Sequence, residues 1–371
     1  MYKHGAERKE ELRRAFEGKR IGLITNPTGV DRDFRATADV LAEEYRLNAM
    51  YAPEHGVRGN VQAGGKVESY IDEKTGISVH SLYQKKAEKE LFCDVDVIAY
   101  DIQDVGARFY TYIYTLTAAM EAAARDGKKI VVLDRYNPIG LVKREGALLD
   151  KRFESGVGKY GLPARYGMTV GEFALYANEV GGIGCDLEII KCEDLKRTDD
   201  HRTLGREWVM PSPNLPSYES ALAYIGTVLL EGTNMSEGRG TTKPFEMIGA
   251  PYLRADEVIK HVESLGLQGF KLRECCFTPT FSKHKGELCR GIQIHITSPD
   301  EFEPFALGVL MLDYIRRTHG EFELRKDVDF LSLLLGTDEF LKENFDAEGF
   351  VLRKREKIKA FEKAARCFLL Y

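Results

Sequence analysis

A carboxylic acid, an imidazole and a guanidinium lie within five positions of one another, as Glu54, His55 and Arg58. The apolar run from Leu47 to Tyr51 directly before them predicts a short buried strand. A proline and a glycine then interrupt regular structure, so these side chains are expected on a loop at the carboxyl end of the strand. Such a group can supply a proton, orient it and hold an anion, although the same residues could also form a solvated turn.

Other predicted strands end in the same way. The runs 19–25, 95–100 and 129–133 are each apolar and are each followed by polar residues: Asn26; Asp101, Gln103, Asp104 and Arg108; Asp134, Arg135 and Asn137. Strands that alternate with helices predict an α/β protein with a parallel, doubly wound sheet, in which ligands bind at the carboxyl edge. Capping and turn formation account for part of this polar set. The remainder predicts a site at that edge.

A second loop of interest, 231–242, follows a predicted helix at 218–230. It combines three glycines with Glu237 and Arg239, and glycine's conformational freedom lets amides and side chains converge on a ligand. A proline-rich connection at 211–216 precedes this helix. We therefore expect a Rossmann-like catalytic domain at 1–222 and a smaller α/β domain at 223–371, with the loop closing the cleft from the second domain.

Composition excludes several classes of function. The 371 residues carry a net charge of −5 and a pI near 6.0, which argues against nucleic-acid binding. No apolar run approaches the ~20 residues of a membrane span, and the charged first twenty residues lack the apolar core of a secretory signal. Seven cysteines without a Cys-x-x-Cys pair suit a reducing compartment. A cytoplasmic location is expected, unless a leader was removed.

Cofactor motifs are absent from the sequence. No Gly-x-Gly-x-x-Gly follows the first predicted strand, and the eight histidines show no His-x-x-x-His spacing, so neither a nucleotide nor a metal is expected. A small-molecule or oligosaccharide substrate fits this composition. The oligomeric state stays open.

Several longer motifs resemble those of a known family. They are Gly22-Leu-Ile-Thr-Asn-Pro-Thr-Gly29, Pro53-Glu-His-Gly-Val-Arg-Gly59, Asp101-Ile-Gln-Asp-Val-Gly-Ala-Arg-Phe-Tyr-Thr-Tyr112, Pro211-Ser-Pro-Asn214, Glu231-Gly-Thr-Asn234 and Gly238-Arg-Gly-Thr241. On these motifs the chain resembles the exo-β-N-acetylmuramidases of the NamZ type, from about Ile21 to its C-terminus. The resemblance implies a glycoside hydrolase that removes N-acetylmuramic acid from the non-reducing end of peptidoglycan fragments, in bacterial cell-wall recycling.

The resemblance also implies roles for particular residues. The family's catalytic glutamate corresponds to Glu54, which is expected to act as the acid with His55 setting its hydrogen bonding. Asp101 and Asp104 are candidates for a second carboxylate. Alternatively, the acetamido oxygen of the sugar attacks and a carboxylate orients the amide; the sequence leaves both routes open.

The substrate also suggests binding residues. The lactyl carboxylate of muramic acid favours a planar guanidinium, which Arg58, Arg108 or Arg239 could supply. The matching motifs and loops contribute the other candidates for substrate binding: Asn26, Gln103, Tyr110, Asn214, Thr233, Asn234 and Glu237.

Two other classes of function also fit the sequence. One is a non-catalytic protein that binds amino sugars or cell-wall fragments in the same cleft. The other is a metal hydrolase that uses His55 with Asp101 and Asp104. Turnover of a chromogenic N-acetylmuramic acid glycoside, with and without a chelator, separates these from the glycosidase.

Overall fold

The computed structural model describes residues 1–54, 56–59, 69–82, 91–325 and 329–371. The strands are β1 Arg20–Thr25, β2 Arg46–Ala52, β3 Tyr70–Ile71, β4 Ser78–Ser81, β5 Val97–Asp101, β6 Lys129–Leu133, β7 Asp186–Ile190, β8 Met247–Ala250, β9 Phe270–Phe277 and β10 Cys289–Ile296. The helices are α1 Lys9–Phe16, α2 Thr37–Glu44, α3 Tyr112–Arg125, α4 Val170–Val180, α5 Tyr218–Thr227, α6 Ala255–Ser264, α7 Pro304–Thr318, α8 Phe330–Leu335 and α9 Ala347–Ala365.

The first half of the chain forms a seven-stranded sheet in the order β3-β4-β2-β1-β5-β6-β7. All neighbours pair in parallel except β3 and β4. Strand β1 pairs with β2 on one side and β5 on the other, so the chain reverses its winding direction there. The carboxyl ends of these strands therefore meet at one edge, beside a topological switch point. The predicted parallel, doubly wound sheet is confirmed.

Most elements lie within a few residues of their predicted positions, because the central strands are continuous apolar runs buried on both faces. The sequence missed α1, β3, β8 and α8. Helix α1 is rich in charge, and it buries only its apolar stripe of Leu12, Ala15 and Phe16. Strand β3 has two residues and β8 has four, which is too short for a period to be recognised.

The second half forms a three-stranded antiparallel sheet, β8-β10-β9, that packs with α6 and α7. Its hydrophobic core is continuous with the first half, since one cluster contains Val105, Phe109 and Ile139 together with Leu222 and Phe305. The boundary at residue 222 stays a prediction. Within the described ranges, no helix has the length and apolar character to cross a bilayer.

Two glycines set the packing of α5 on α7. A Cβ added at Gly226 would lie 1.9 Å from the carbonyl oxygen of Pro304, and one at Gly308 would lie 2.5 Å from the carbonyl oxygen of Gly226. The two backbones therefore touch without intervening side chains. This contact matters for the site, because the chain runs from α5 through a 3₁₀ turn, Val228–Gly232, into the second loop of interest.

We expect Gly226→Ala to destabilise the protein by about 1–3 kcal/mol, because the added methyl forces α5 and α7 apart. Gly156→Ala is the matched control: a Cβ there meets nothing within 4 Å, so the change should stay within about 0.5 kcal/mol. The midpoint of urea unfolding measures both. Equal midpoints for the two variants would contradict the close crossing.

Candidate active site

A cavity of about 180 Å³ lies where the two halves of the chain meet. Its walls come from the segment after β2, the start of α3, the connection before α5 and the second loop. The lining residues are Glu54, Phe109, Tyr110, Thr111, Val157, Ser212, Asn214, Tyr224, Val228, Glu231, Arg239 and Leu334. Two carboxylic acids and one arginine thus face a space that is otherwise aromatic, aliphatic and hydroxylic.

The loop after β2 places Glu54 at this cavity. The Gly56 amide donates to the carbonyl of Pro53 at 3.2 Å, and Gly56 has a φ of 78°, a conformation that glycine adopts without steric cost. The Tyr112 hydroxyl lies 3.3 Å from the Glu54 carbonyl oxygen and 3.0 Å from that of Pro211. Its one proton is shared between the two carbonyls, so the hydroxyl ties this loop to the connection that precedes α5.

The second loop places Arg239 on the opposite wall. Its neighbours Gly238 and Gly240 both have a φ near +80°. Added Cβ atoms there would lie 2.2 Å from the carbonyl oxygen of Met247 and 2.6 Å from that of Phe281. Glycine is therefore required on both sides of the arginine, first for its backbone conformation and second for this close approach.

Arg239 belongs to a cluster of four charged side chains. Its Nη2 lies 2.7 Å from Glu231 Oε1, and its Nε lies 3.2 Å from Glu237 Oε1. Lys283 Nζ approaches the other oxygen of Glu237 at 2.9 Å. Two carboxylates and two cations therefore balance in a half-buried site, which offsets the cost of removing these charges from water.

The pKa values of Glu231 and Arg239, the two members of this ion pair, are shifted by different causes. Burial raises the pKa of Glu231, and the Arg239 guanidinium partly opposes that rise. Burial lowers the pKa of Arg239, but the carboxylates of Glu231 and Glu237 more than reverse this effect, so that its pKa ends above the usual range. Arg239 therefore stays charged.

Four of the residues predicted from sequence line the cavity: Glu54, Tyr110, Asn214 and Arg239. Glu54 and Arg239 thus line one cavity, and the closing of the cleft by the second loop stays a prediction. His55 lies outside the described residues.

Asp101, which the sequence suggests as a catalytic carboxylate, is bound by neighbouring side chains within the fold. Its oxygens bind the guanidinium of Arg135 at 2.5 and 3.0 Å and accept a hydrogen bond from the Thr37 hydroxyl. The carboxylate is completely buried and does not line the cavity. It joins the ends of β5 and β6 to the start of α2, because a charge buried at this edge needs a partner and finds one just after the neighbouring strand.

Asp104, the other predicted carboxylate, also lies outside the cavity lining. One oxygen accepts hydrogen bonds from the Tyr166 hydroxyl and, at 2.6 Å, from the Gly106 amide. The other oxygen is buried and has no partner among the described residues. Burial raises the pKa of Asp104 to about 7. The buried, unpartnered oxygen is where a proton would reside.

Two of the three predicted arginines are used elsewhere. Arg58 pairs with Asp39 and Asp72 at 2.8 and 2.9 Å. Arg108 is completely buried and donates to the backbone carbonyls of three residues, Ala147, Leu162 and Leu334, at 2.8, 2.8 and 2.5 Å. Burial lowers its pKa to about 10, so it stays charged. Neither arginine lines the cavity.

The other predicted binding residues hold loops in place. Asn26 accepts from the backbone and hydroxyl of Thr28. Gln103 donates to two carbonyls and lines a separate cavity of about 300 Å³ at the ends of β1, β5 and β6. Thr233 and Asn234 each donate to a backbone carbonyl, and Glu237 is 2% exposed behind Arg239. None of these five lines the smaller cavity.

Sequence reasoning did not select Glu231, Tyr224 or Ser212, although all three line the cavity. Glu231 stands first in the second loop, directly after an apolar helix, where a carboxylate resembles an ordinary helix end. Its partner Arg239, eight residues later, was the available signal. Among the described residues, no group of three or more His, Cys, Asp or Glu side chains is placed to hold a metal.

Comparisons with known proteins cover the whole chain. Family models described as "Exo-beta-N-acetylmuramidase NamZ", N-terminal and C-terminal, match residues 21–219 and 222–371. The chain is 43% identical to the peptidoglycan beta-N-acetylmuramidase NamZ of Bacillus subtilis (strain 168), over 97% of this chain and 89% of that protein.

Two crystal structures of DUF1343 family proteins from Bacteroides fragilis NCTC 9343 have the same fold. They superpose with TM-scores of 0.91 and 0.79 at 35% and 30% identity. Each match covers all of this chain and 99% of the other.

We expect Arg108→Met to destabilise the protein by about 3 kcal/mol or more, because three buried carbonyls lose their donor and each costs about 1–3 kcal/mol. Arg152→Met is the control: its side chain is 64% exposed, so the change should stay within about 0.5 kcal/mol. Urea unfolding measures both variants. An Arg108→Met protein as stable as the wild type would show that the three carbonyls do not depend on this side chain.

Asp104→Asn should change how stability depends on pH. The carboxyl pKa is about 7 in the folded protein against 3.8 for an ordinary aspartate. The folded state thus holds a proton that the unfolded chain has released. Asp104 therefore contributes stability that is complete below pH 3.8 and is lost as the pH rises through about 7.

The measurement is the unfolding free energy of wild type minus that of Asp104→Asn, from urea titrations at several pH values. It should fall by up to about 4 kcal/mol between pH 4 and 7 and be flat above, since one pKa unit corresponds to about 1.4 kcal/mol. Parallel curves for the two proteins across this range would refute the raised pKa.

Proposed function

The chain belongs to the NamZ family of exo-β-N-acetylmuramidases, and we propose that it is a glycoside hydrolase that removes N-acetylmuramic acid from the non-reducing end of peptidoglycan fragments. Family models for both halves and a curated relative matched over 97% of the chain support this assignment. The substrate is a small molecule derived from peptidoglycan. The intracellular recycling role expected from the sequence stays a prediction.

One observation carries the proposal: Glu54 from the first half and Arg239 from the second half line a single small cavity. Glycoside cleavage needs a carboxylic acid that protonates the leaving oxygen, and muramic acid differs from other 2-acetamido sugars in its lactyl carboxylate. Glu54 is the candidate for the acid and Arg239 is the candidate that binds the lactyl carboxylate, and both line this cavity. Its small volume suits a single terminal sugar, as exo-action requires.

Arg239 is our candidate for the lactyl carboxylate. Its side chain is 26% exposed and lines the cavity, whereas Arg58 and Arg108 lie outside the cavity lining. A planar guanidinium can bind a carboxylate through two parallel hydrogen bonds. An arginine with partners already in place costs little reorganisation when substrate arrives.

Glu54 is our candidate for the general acid. Its loop is fixed by the Gly56 turn and by the hydroxyl of Tyr112, so the carboxyl group approaches the substrate from a rigid support. The leaving oxygen takes the proton of Glu54 as the glycosidic bond breaks, which avoids the release of an unstabilised alkoxide.

The proposal is tested with chromogenic glycosides of N-acetylmuramic acid and of N-acetylglucosamine. We expect the wild type to cleave the muramic glycoside at least ~10²-fold faster in kcat/KM, because the hydrogen bonds from Arg239 to the lactyl carboxylate have no counterpart with the glucosamine glycoside. Glu54→Gln should lower turnover of the muramic glycoside by at least ~10² while the protein stays folded.

Substitutions of arginine distinguish a loss of carboxylate recognition from a general loss of activity. Arg239→Ala should reduce the ratio of the two kcat/KM values mainly through the muramic glycoside, and Arg239→Lys should restore only part of it, because an ammonium lacks the planar fork. Arg58→Ala is the control, with the ratio expected to be unchanged. A wild type without turnover of the muramic glycoside would overturn the proposed function.

A further inference from the structure

The smaller cavity contains a second carboxylic acid to which neither the sequence motifs nor the comparisons give a role. Among its described lining residues, Glu54 and Glu231 are the carboxylic acids. They approach from different halves of the chain, Glu54 after β2 and Glu231 from the 3₁₀ turn that follows α5. The side chain of Glu231 is 21% exposed, so it is reachable from the cavity.

The other carboxylates near this site are committed to structural partners. Asp101 is bound by Arg135 and Asp104 accepts from Tyr166 and Gly106. Glu237 lies behind Arg239 and pairs with Lys283. Glu231 has one ion-pair partner among the described residues, Arg239, at 2.7 Å. That partner is the arginine to which we assign the lactyl carboxylate.

Resting on the proposed function, we propose that Glu231 is the proton acceptor of the hydrolysis, held by Arg239 in the empty site and loosened from it when the substrate's carboxylate shares the guanidinium. The group that recognises muramic acid thereby controls the group that performs the chemistry.

The bond between the anomeric carbon and the glycosidic oxygen breaks, its electron pair goes to that oxygen, and the oxygen takes the proton of Glu54. A water oxygen forms the new bond to the anomeric carbon, and its proton passes to the carboxylate of Glu231. The proton then returns through solvent to Glu54, so the net change is the addition of one water molecule.

The charge balance explains why the substrate's carboxylate matters. In the empty site Arg239 and Lys283 offset Glu231 and Glu237. A bound lactyl carboxylate adds one negative charge next to Glu231, and a neighbouring like charge raises the pKa of a carboxyl group. A carboxylate with a higher pKa is a stronger base towards water. N-acetylglucosamine brings no such charge and leaves Glu231 held by Arg239.

Rates across pH in the wild type give the first test, which needs no mutation. The acidic limb of kcat reports the base in the enzyme–substrate complex. We expect this limb to lie at higher pH with the muramic glycoside than with the glucosamine glycoside. Coincident acidic limbs for the two substrates would overturn the coupling between recognition and catalysis.

Substitution of Glu231 gives the second test. Glu231→Gln should lower kcat on the muramic glycoside by at least ~10² with KM changed much less, and should abolish the acidic limb. Added azide should restore turnover and yield a glycosyl azide, because azide attacks carbon without releasing a proton. Glu231→Asp retains a carboxylate and should keep the acidic limb at a reduced rate, which covers the case in which the glutamine variant does not fold.

Glu237→Gln is the matched control, because Glu237 is the other carboxylate on Arg239 but lies outside the cavity lining. It should keep the acidic limb and show no response to azide. If Glu231→Gln folds and keeps both its acidic limb and a kcat within about tenfold of the wild type, the inference fails while the proposed function stands. If the wild type cleaves neither glycoside, the proposed function itself has failed.

Discussion

The burial of Arg108 against backbone carbonyls is the interaction on which the geometry of the site most depends. Two of its acceptors, Ala147 and Leu162, belong to the first half of the chain and the third, Leu334, to the second. Around it, one hydrophobic cluster continues from the end of β5 into α5 and α7. A cavity at this joint can therefore have fixed walls although its two acids come from opposite halves.

The same arrangement separates the charged residues that stabilise the fold from the charged residues that line the cavity. At the carboxyl edge of the large sheet, the Asp101–Arg135 pair joins the ends of β5 and β6, and one oxygen of the buried Asp104 accepts two hydrogen bonds. Both carboxylates are buried and lie outside the lining of the smaller cavity. The charges that line the cavity, Glu54, Glu231 and Arg239, lie instead where the edge meets the second half of the chain.

The sequence predicted the fold well and the site only in part, for related physical reasons. Continuous apolar strands such as 129–133 and an apolar helix such as 218–230 have clear periods, so their positions follow from the sequence. The same reasoning placed Glu54 and Arg239 on loops that do face one another. It could not separate Asp101 from Glu54, because both follow a buried strand and only the partner across the sheet, Arg135, shows that Asp101 is structural.

Glu231 could not be identified from the sequence, because its place in the site depends on its ion pair with Arg239 and not on its residue type. In sequence it is one acid at the end of an apolar helix. In the structure it faces the same cavity as an acid that lies 177 positions earlier in the chain, and it is held by an arginine from its own loop. Among the described residues the cavity has one lining arginine, and this guanidinium can distinguish a sugar that carries a carboxylate from one that does not. Recognition and catalysis then share one ion pair, so a change that alters one of them is expected to alter the other.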